Sequence, residues 1–308
     1  MSNAGSFGNP SADDGEVAMT TTAIAGELFL IATPIGNLGD ITMRALETLR
    51  KVDLVAAEDT RTAKKLFSRY QITTSLLSLH DHSSLKRLDE IIGKLQKGAT
   101  IGVVSEAGTP GISDPGFRLI QMAAAASIRI TPLPGACAAI SAICASALPL
   151  DSFYFAGFLP VRSGPRQRKL ESLKEIEATL IFYESPRRLN ATLETMEQVF
   201  GDRLACVARE LTKIYEEFLR FPLSYLRSLG CAEGWRGEIT LLVAGYDRES
   251  RNRDPQTLLE AEAQLRDCLA DPDFSQGLSN RDLVEALMEQ FPLLKRRRIY
   301  EIVLTRSA

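Results

Sequence analysis

Histidine is scarce in this chain: His80 and His82 are the only two. They could join Asp81 in a metal site, but the segment reads first as a strand-end turn, and no metal is expected. The five cysteines, Cys137, Cys144, Cys206, Cys231 and Cys268, are odd in number, lack any C-x-x-C spacing and sit in apolar surroundings. That excludes a disulfide framework and a zinc ribbon, and fits the reduced, buried thiols of a cytoplasmic protein. No apolar run reaches the ~18 residues of a membrane span. The richest stretch, residues 136–150, contains Ser141 and Ser146 and reads as a buried helix. No G-x-G occurs, Gly93-Lys94 lacks the upstream glycine of a P-loop, and there is no G-x-S-x-G. Dehydrogenases, P-loop NTPases and α/β-hydrolases are thereby disfavoured. Net charge is also missing. The formal value is -3, but residues 1–26 hold Asp13, Asp14 and Glu16 with no Lys or Arg, so the remainder is balanced. Attraction to a nucleic acid must then come from local clusters.

What is present is an ordinary globular composition, 45% apolar and 24% charged over 308 residues, enough for two domains and an appendage. Residues 1–26 are rich in Ser, Gly, Ala and Thr, without the basic start and apolar centre of a signal peptide, and read as a disordered leader. From residue 27 short apolar runs alternate with amphipathic stretches. Strands are predicted at 27–33, 53–57, 75–79, 100–104 and 128–131, with helices between them and another from residue 136. This is the pattern of a mostly parallel α/β sheet, placed at 27–149. Leu148-Pro149-Leu150-Asp151 marks a break. A second α/β domain at 150–247 has strands at 153–156, 180–183, 203–208, 215–220 and 238–243. Two of these follow each other without a helix, so its sheet is predicted to be mixed. A helical, helix-turn-helix-like module occupies 248–308.

Three glycine- and proline-rich loops fall at the carboxyl ends of predicted strands. They are Thr33-Pro34-Ile35-Gly36-Asn37-Leu38-Gly39-Asp40, the run from Ser105 to Gly116, and Pro132-Leu133-Pro134-Gly135-Ala136. Ligands bind at this edge of open α/β sheets. Glycine admits a ligand close to the backbone and proline stiffens the loop. The loops carry little positive charge, which suits a neutral or cationic small molecule better than a triphosphate.

These loops, together with Ala57-Glu-Asp-Thr-Arg61, Leu79-His-Asp-His82, Gly157-Phe-Leu-Pro160, Phe182-Tyr-Glu-Ser185, Ala208-Arg-Glu-Leu-Thr-Lys213 and Gly237-Glu238, resemble the tetrapyrrole-methylase superfamily. Within it the resemblance is to the branch that methylates cytidine ribose in small-subunit ribosomal RNA. It covers about 220 residues, from Gly26 to Tyr246, with Glu106 standing where relatives are expected to have Asp. The resemblance implies two α/β domains with a cleft for S-adenosylmethionine between them, a homodimer, and a cytidine of the 16S RNA decoding centre as substrate. It implies a cofactor wall of Pro34, Gly36, Glu106, Ala107, Gly108, Pro134 and Gly135 from the first domain, and Phe182, Tyr183 and Glu184 from the second.

A ribose 2′-hydroxyl is a poor nucleophile until it loses its proton, so a general base or a stabiliser of the developing alkoxide is expected. Lys213, Glu210 and Arg209 are the candidates, Lys213 either neutral as base or charged as stabiliser. The alternative is a structural salt-bridge network of the same three residues. Two basic clusters suit RNA: Arg162, Arg166, Arg168 and Lys169 in a loop loosened by Gly164 and Pro165, and Lys295, Arg296, Arg297 and Arg298 at the start of the last helix. Either is otherwise a solvated face. A methyltransferase acting on a porphyrin-like small molecule is the competing reading, and it has no use for these clusters.

Overall fold

The structure, a computed structural model, describes residues 26–79, 84–112, 116–247, 255–270, 274, 279–294 and 296–305. The leader up to residue 25, the His80-Asp81-His82 segment and Lys295 lie outside the described residues. The chain divides between Cys137 and Ala138 into two compact units.

The first unit is built on five parallel strands: β1 (Glu27–Ile31), β2 (Leu54–Ala57), β3 (Leu76–Ser78), β4 (Thr100–Val104) and β5 (Arg129–Leu133), in the order β3-β2-β4-β1-β5. The intervening helices are α1 (Met43–Lys51), α2 (Thr60–Tyr70), α3 (Leu85–Gln96) and α4 (Phe117–Ala125). The side chains of Thr42, Asp59 and Ser84 accept hydrogen bonds from backbone N–H groups of the first turns of α1, α2 and α3, fixing where those helices begin.

Strand side chains alternate between the two faces, so each strand feeds two cores. Ile31, Val55, Ala57 and Val104 pack with Leu49, Leu66 and Phe67 of α1 and α2. Leu28, Ala56, Ile101 and Val103 pack with Ile91, Leu95 and Leu119 of α3 and α4 on the opposite face. This explains why these strands read as continuous apolar runs rather than alternating ones. It also locates the switch point. Neighbouring strands β1 and β4 send their following helices, α1 and α4, to opposite faces, opening a crevice at their carboxyl ends.

The second unit has a mixed sheet of β6 (Phe153–Phe158), β7 (Thr179–Glu184), β8 (Leu204–Arg209), β9 (Glu217–Pro222) and β10 (Ile239–Val243), ordered β6-β7-β10-β8-β9. Strands β6 and β7 are parallel and the other pairs antiparallel. The carboxyl ends of β6, β7 and β8 therefore share one edge with the start of β10. One face is covered by α6 (Ser163–Glu171), α7 (Pro186–Phe200) and α8 (Leu223–Glu233), with Phe182, Leu189, Leu193, Val207 and Leu241 at the centre. Helix α5 (Ala138–Ala145), placed before the break in the sequence reading, packs against β7 and β10. The carbonyls of its last residue, Ala145, and of the next residue, Ser146, accept from the Arg220 guanidinium at 2.5 and 3.2 Å, a favourable cation at a helix C-terminus.

Helix α6 corrects the expected loose loop. Gly164 and Pro165 fall in its first turn, where proline's missing N–H has no intrahelical partner to lose. Three further helices, α9 (Pro255–Ala270), α10 (Asn280–Gln290) and α11 (Arg296–Thr305), enclose their own core around Leu265, Leu283, Leu287, Ile299 and Val303.

Candidate functional site

At the switch point of the first sheet the three glycine-rich loops are tied to one another. Thr33 and Gly108 exchange backbone hydrogen bonds at 2.9 and 3.0 Å, joining the loops that follow β1 and β4. The Thr109 hydroxyl donates to the Ala136 carbonyl at 3.1 Å, joining the loops that follow β4 and β5. Gly108 has φ +86°, a backbone conformation that costs an L side chain ~1–2 kcal/mol, and a Cβ there would meet Ile35 Cγ2 at 3.3 Å. At Gly135 a Cβ would stand 2.6 Å from Ala32 Cβ, so the turn after β5 can approach β1 only as glycine. The first loop is further held by the Tyr70 hydroxyl, which donates to the Leu38 carbonyl at 2.6 Å.

The edge so formed is backbone-lined. Gly36, Glu106, Ala107, Pro134 and Gly135 are exposed and Pro34 is half-buried. Glu106 is the only charged side chain among these six. The Thr33 hydroxyl is buried there without a hydrogen-bond partner. A carboxylate, an orphaned hydroxyl and close-approach glycines fit a cationic, amine-bearing ligand of the S-adenosylmethionine kind. Glu58, in the Ala57–Arg61 motif, accepts from the Glu106 N–H at 3.0 Å and braces the loop. Its neighbour Asp59 caps α2; the hydrogen bonds from Arg61 hold its carboxyl down at about 2.

The second sheet gathers its polar residues at the edge shared by β6, β7, β8 and the start of β10. The turn after β8 is tight, with positive φ at Glu210 (52°) and Thr212 (65°). Such backbone persists only where surroundings over-determine it. Here Glu210 N–H donates to the Glu238 carbonyl and Glu238 N–H to Glu210 Oε1, both at 2.9 Å. Gly237 makes room: a Cβ there would overlap the Glu210 side chain. Lys213 Nζ lies 2.9 Å from Glu210 Oε1 and 3.2 Å from Glu238 Oε2. Partial burial pulls the Lys213 pKa down, but these two hydrogen bonds outweigh it and hold the ammonium above the usual lysine value. The same bond from Lys213, helped by the Glu238 N–H, holds the Glu210 carboxyl below its usual value. Among the described residues, two of Lys213's three N–H donors are thus engaged. Ile214 and Tyr215, at the tip of this turn, are 95% and 79% exposed.

The other residues singled out in the sequence separate cleanly. Arg209 pairs across β8 and β9 with Glu217 at 2.5 Å. Phe182 is fully buried in the core and has no surface to offer a ligand. Glu184 is also buried: it accepts from the Thr192 hydroxyl at 2.7 Å and the Ser185 N–H at 2.8 Å, and pairs with Arg188 at 3.3 Å. Arg188 in turn donates to the Leu159 carbonyl at 2.6 Å, so Glu184 is a strut for the turn after β6. Tyr183 is half-buried, its hydroxyl accepting from the Ala139 N–H at 3.3 Å.

The basic clusters also divide. Arg162 and Arg168 are exposed, and Lys169 is half-buried with its ammonium 5.9 Å from the Tyr154 ring centre. Arg166 is turned inward, 8% exposed, with Nε donating to the Thr195 hydroxyl at 3.1 Å. In the C-terminal module Arg298 grips Glu262 at 2.6 and 2.8 Å, Arg296 pairs with Glu285 at 3.4 Å, and Arg297 with Glu301 at 3.3 Å. Periodicity could not separate inward from outward arginines on a helix expected to be a loop. Among the described residues no His, Cys, Asp and Glu cluster has the makings of a metal site, and no helix is long and apolar enough to cross a membrane.

With this geometry in hand, the chain belongs to the tetrapyrrole (corrin/porphyrin) methylase family, whose model matches residues 27–227. It is 44% identical over 284 residues, 92% of this chain and 99% of the relative, to the ribosomal RNA small subunit methyltransferase I of Synechocystis sp.. It is 47% identical over 234 residues, 75% of this chain and 83% of the relative, to the protein of the same name from Haemophilus influenzae. Among solved structures, diphthine synthase (13% identity, TM-score 0.57) covers 71% of this chain and 90% of its own. A cobalt precorrin-4 methyltransferase (17% identity, TM-score 0.55) covers 71% and 94%. These two likenesses establish the fold.

Proposed function

We propose that this protein is an S-adenosylmethionine-dependent methyltransferase of the small ribosomal subunit, acting in the cytoplasm as a homodimer on the 2′-oxygen of a cytidine ribose in 16S RNA. The observation that carries the substrate class is the 44% identity over 92% of the chain, which extends well beyond residue 227 into the C-terminal helices. The exposed cations of α6 support it, since an RNA substrate presents a run of phosphates for them to neutralise.

When bound, S-adenosylmethionine supplies a methyl group made electrophilic by its sulfonium sulfur. Pro34, Gly36, Ala107, Gly108, Pro134 and Gly135 would hold it through backbone contacts, and Glu106 would answer its positive charge. The tied loops preorganise that surface, so little ordering cost falls on binding. Methyl transfer needs the ribose oxygen in line and within ~3–3.5 Å of the methyl carbon. The 2′-oxygen would gain a bond to the methyl carbon as that carbon's bond to sulfur breaks, and its proton would pass to solvent water, so negative charge develops on the oxygen along the way. Lys213, kept cationic by Glu210 and Glu238, has the form of an alkoxide stabiliser and not of a neutral base. Arg209 and Glu184 act structurally, on β9 and on the turn after β6.

The test is transfer of labelled methyl from S-adenosylmethionine to purified small subunits lacking the mark, with a uroporphyrin-type macrocycle as competitor. Label in RNA, recovered as a 2′-O-methylcytidine, is expected. Label appearing only in the macrocycle would establish the alternative.

A further inference from the structure

The turn after β6 is built to display an aromatic ring. Leu159 is 3% exposed and anchors the turn in the core, while Arg188 clamps the Leu159 and Pro160 carbonyls at 2.6 and 3.3 Å. Arg188 is itself held by buried Glu184. On either side of that anchor, Phe158 and Val161 are 58% and 74% exposed. Phe158 ends a strand bulged between Phe155 and Gly157, with φ +65° at Gly157, a device that re-aims side chains at strand ends. Its ring meets Tyr183 edge-on, centroids 5.6 Å apart, which fixes its tilt while leaving most of the ring uncovered.

Cations without carboxylates follow this ring in sequence. Arg162 stands at the N-terminal boundary of α6 and Arg168 lies in the same helix, both exposed. Neither has a carboxylate partner among the described residues, in contrast to Arg296, Arg297 and Arg298. Unpaired cations on the helix that follows an exposed aromatic ring are the components of a single-stranded nucleic-acid surface, where bases stack and phosphates are neutralised.

We propose that Phe158 is a stacking platform for an unpaired RNA base, with Arg162 and Arg168 taking neighbouring phosphates; this rests on the RNA-methyltransferase reading. Phe158 pairs in register with Tyr183, and Ile239 lies opposite both Glu184 and Arg209, so platform and Lys213 turn share one sheet edge. They are three strand spacings apart, roughly 14 Å. The stacked base is therefore a neighbour of the reacting nucleotide, and Phe158 governs binding and register rather than the chemical step.

The experiment compares wild type, Phe158→Ala, Phe158→Trp and the Arg162→Ala/Arg168→Ala double variant, using small subunits that lack the mark, across a salt series. Phe158→Ala is expected to raise Kd and KM about tenfold, within the range of one lost base–aromatic stack. Its kcat stays within about twofold, its salt slope is unchanged, and Trp restores affinity. The double variant flattens the slope by about 1.4, at ~0.7 per phosphate contact. Phe158 is mostly exposed, so the variants are expected to fold, and thermal melts check this. The inference is overturned if a competent wild type and Phe158→Ala bind equally, or if Trp fails to rescue. It is also overturned if Phe158→Ala changes the oligomeric state, which would make the ring a contact between copies. A wild type that neither binds nor methylates small subunits overturns the reading beneath it as well.

Discussion

Lys213 Nζ sits 2.9 Å from Glu210 Oε1, three residues away across a turn with two non-glycine residues at positive φ. The pairing fixes the lysine in its charged form. It also couples the turn after β8 to the start of β10 through Glu238, which accepts from the same ammonium at 3.2 Å.

The first prediction concerns chemistry. Lys213→Ala is expected to bind S-adenosylmethionine as wild type does and to lose more than tenfold in turnover, a barrier increase above ~1.4 kcal/mol. Lys213→Arg, which keeps the charge, should retain part of the rate. Single-turnover methyl transfer measures both. A loss below tenfold in Lys213→Ala would reduce the residue to the salt-bridge network.

The second concerns pH. Glu210 has a depressed pKa, so its contribution to stability is present above the unfolded carboxylate value, about 4.3, and is lost as pH falls through the lower folded value. Lys213 has a raised pKa, so its contribution is full below about 10.4 and is lost only as pH rises through the folded value. Between those limits neither group titrates. The rate of the chemical step should then show no limb belonging to Lys213 from pH 6 to 9.5, checked by comparing the profiles of wild type and Lys213→Arg. A wild-type limb in that interval that disappears in Lys213→Arg would indicate a neutral lysine base.

The third separates structural from surface arginines. Arg166→Ala should lower the melting temperature by several degrees, because it removes a buried stem and leaves the Thr195 hydroxyl without its donor. Arg162→Ala and Arg168→Ala should leave the melting temperature within about a degree. Arg296→Ala and Arg297→Ala should leave the salt dependence of subunit binding unchanged, since both side chains are engaged by glutamates. Differential scanning fluorimetry and salt-series binding read these out.

The fourth tests the cofactor edge. Gly108→Ala places a methyl 3.3 Å from Ile35 Cγ2 on backbone at φ +86°. It should fold with ~1–2 kcal/mol less stability and bind S-adenosylmethionine at least tenfold more weakly by calorimetry. Wild-type affinity in the folded variant would take this loop out of the site.

Much of this architecture was legible in the sequence because strands buried on both faces leave continuous apolar runs, as in residues 100–104. The three loops were legible as glycine and proline at strand ends. What stayed hidden depends on contacts distant in sequence. Helix α6 was masked by Gly164 and Pro165, whose harmlessness depends on their falling in the first turn. The roles of Glu184 and Glu238 come from Thr192, Arg188 and Lys213, which periodicity does not connect to them. Phe182 and Glu184 were read as ligand contacts because they lie in a motif, whereas strand alternation turns Phe182 into the core.

The most direct test of the central claim is mass spectrometry of 16S ribosomal RNA from a strain deleted for this protein. The account predicts loss of a single 2′-O-methylcytidine, restored by the wild-type chain and not by Lys213→Ala. An unaltered methylation pattern in the deletion strain would contradict it.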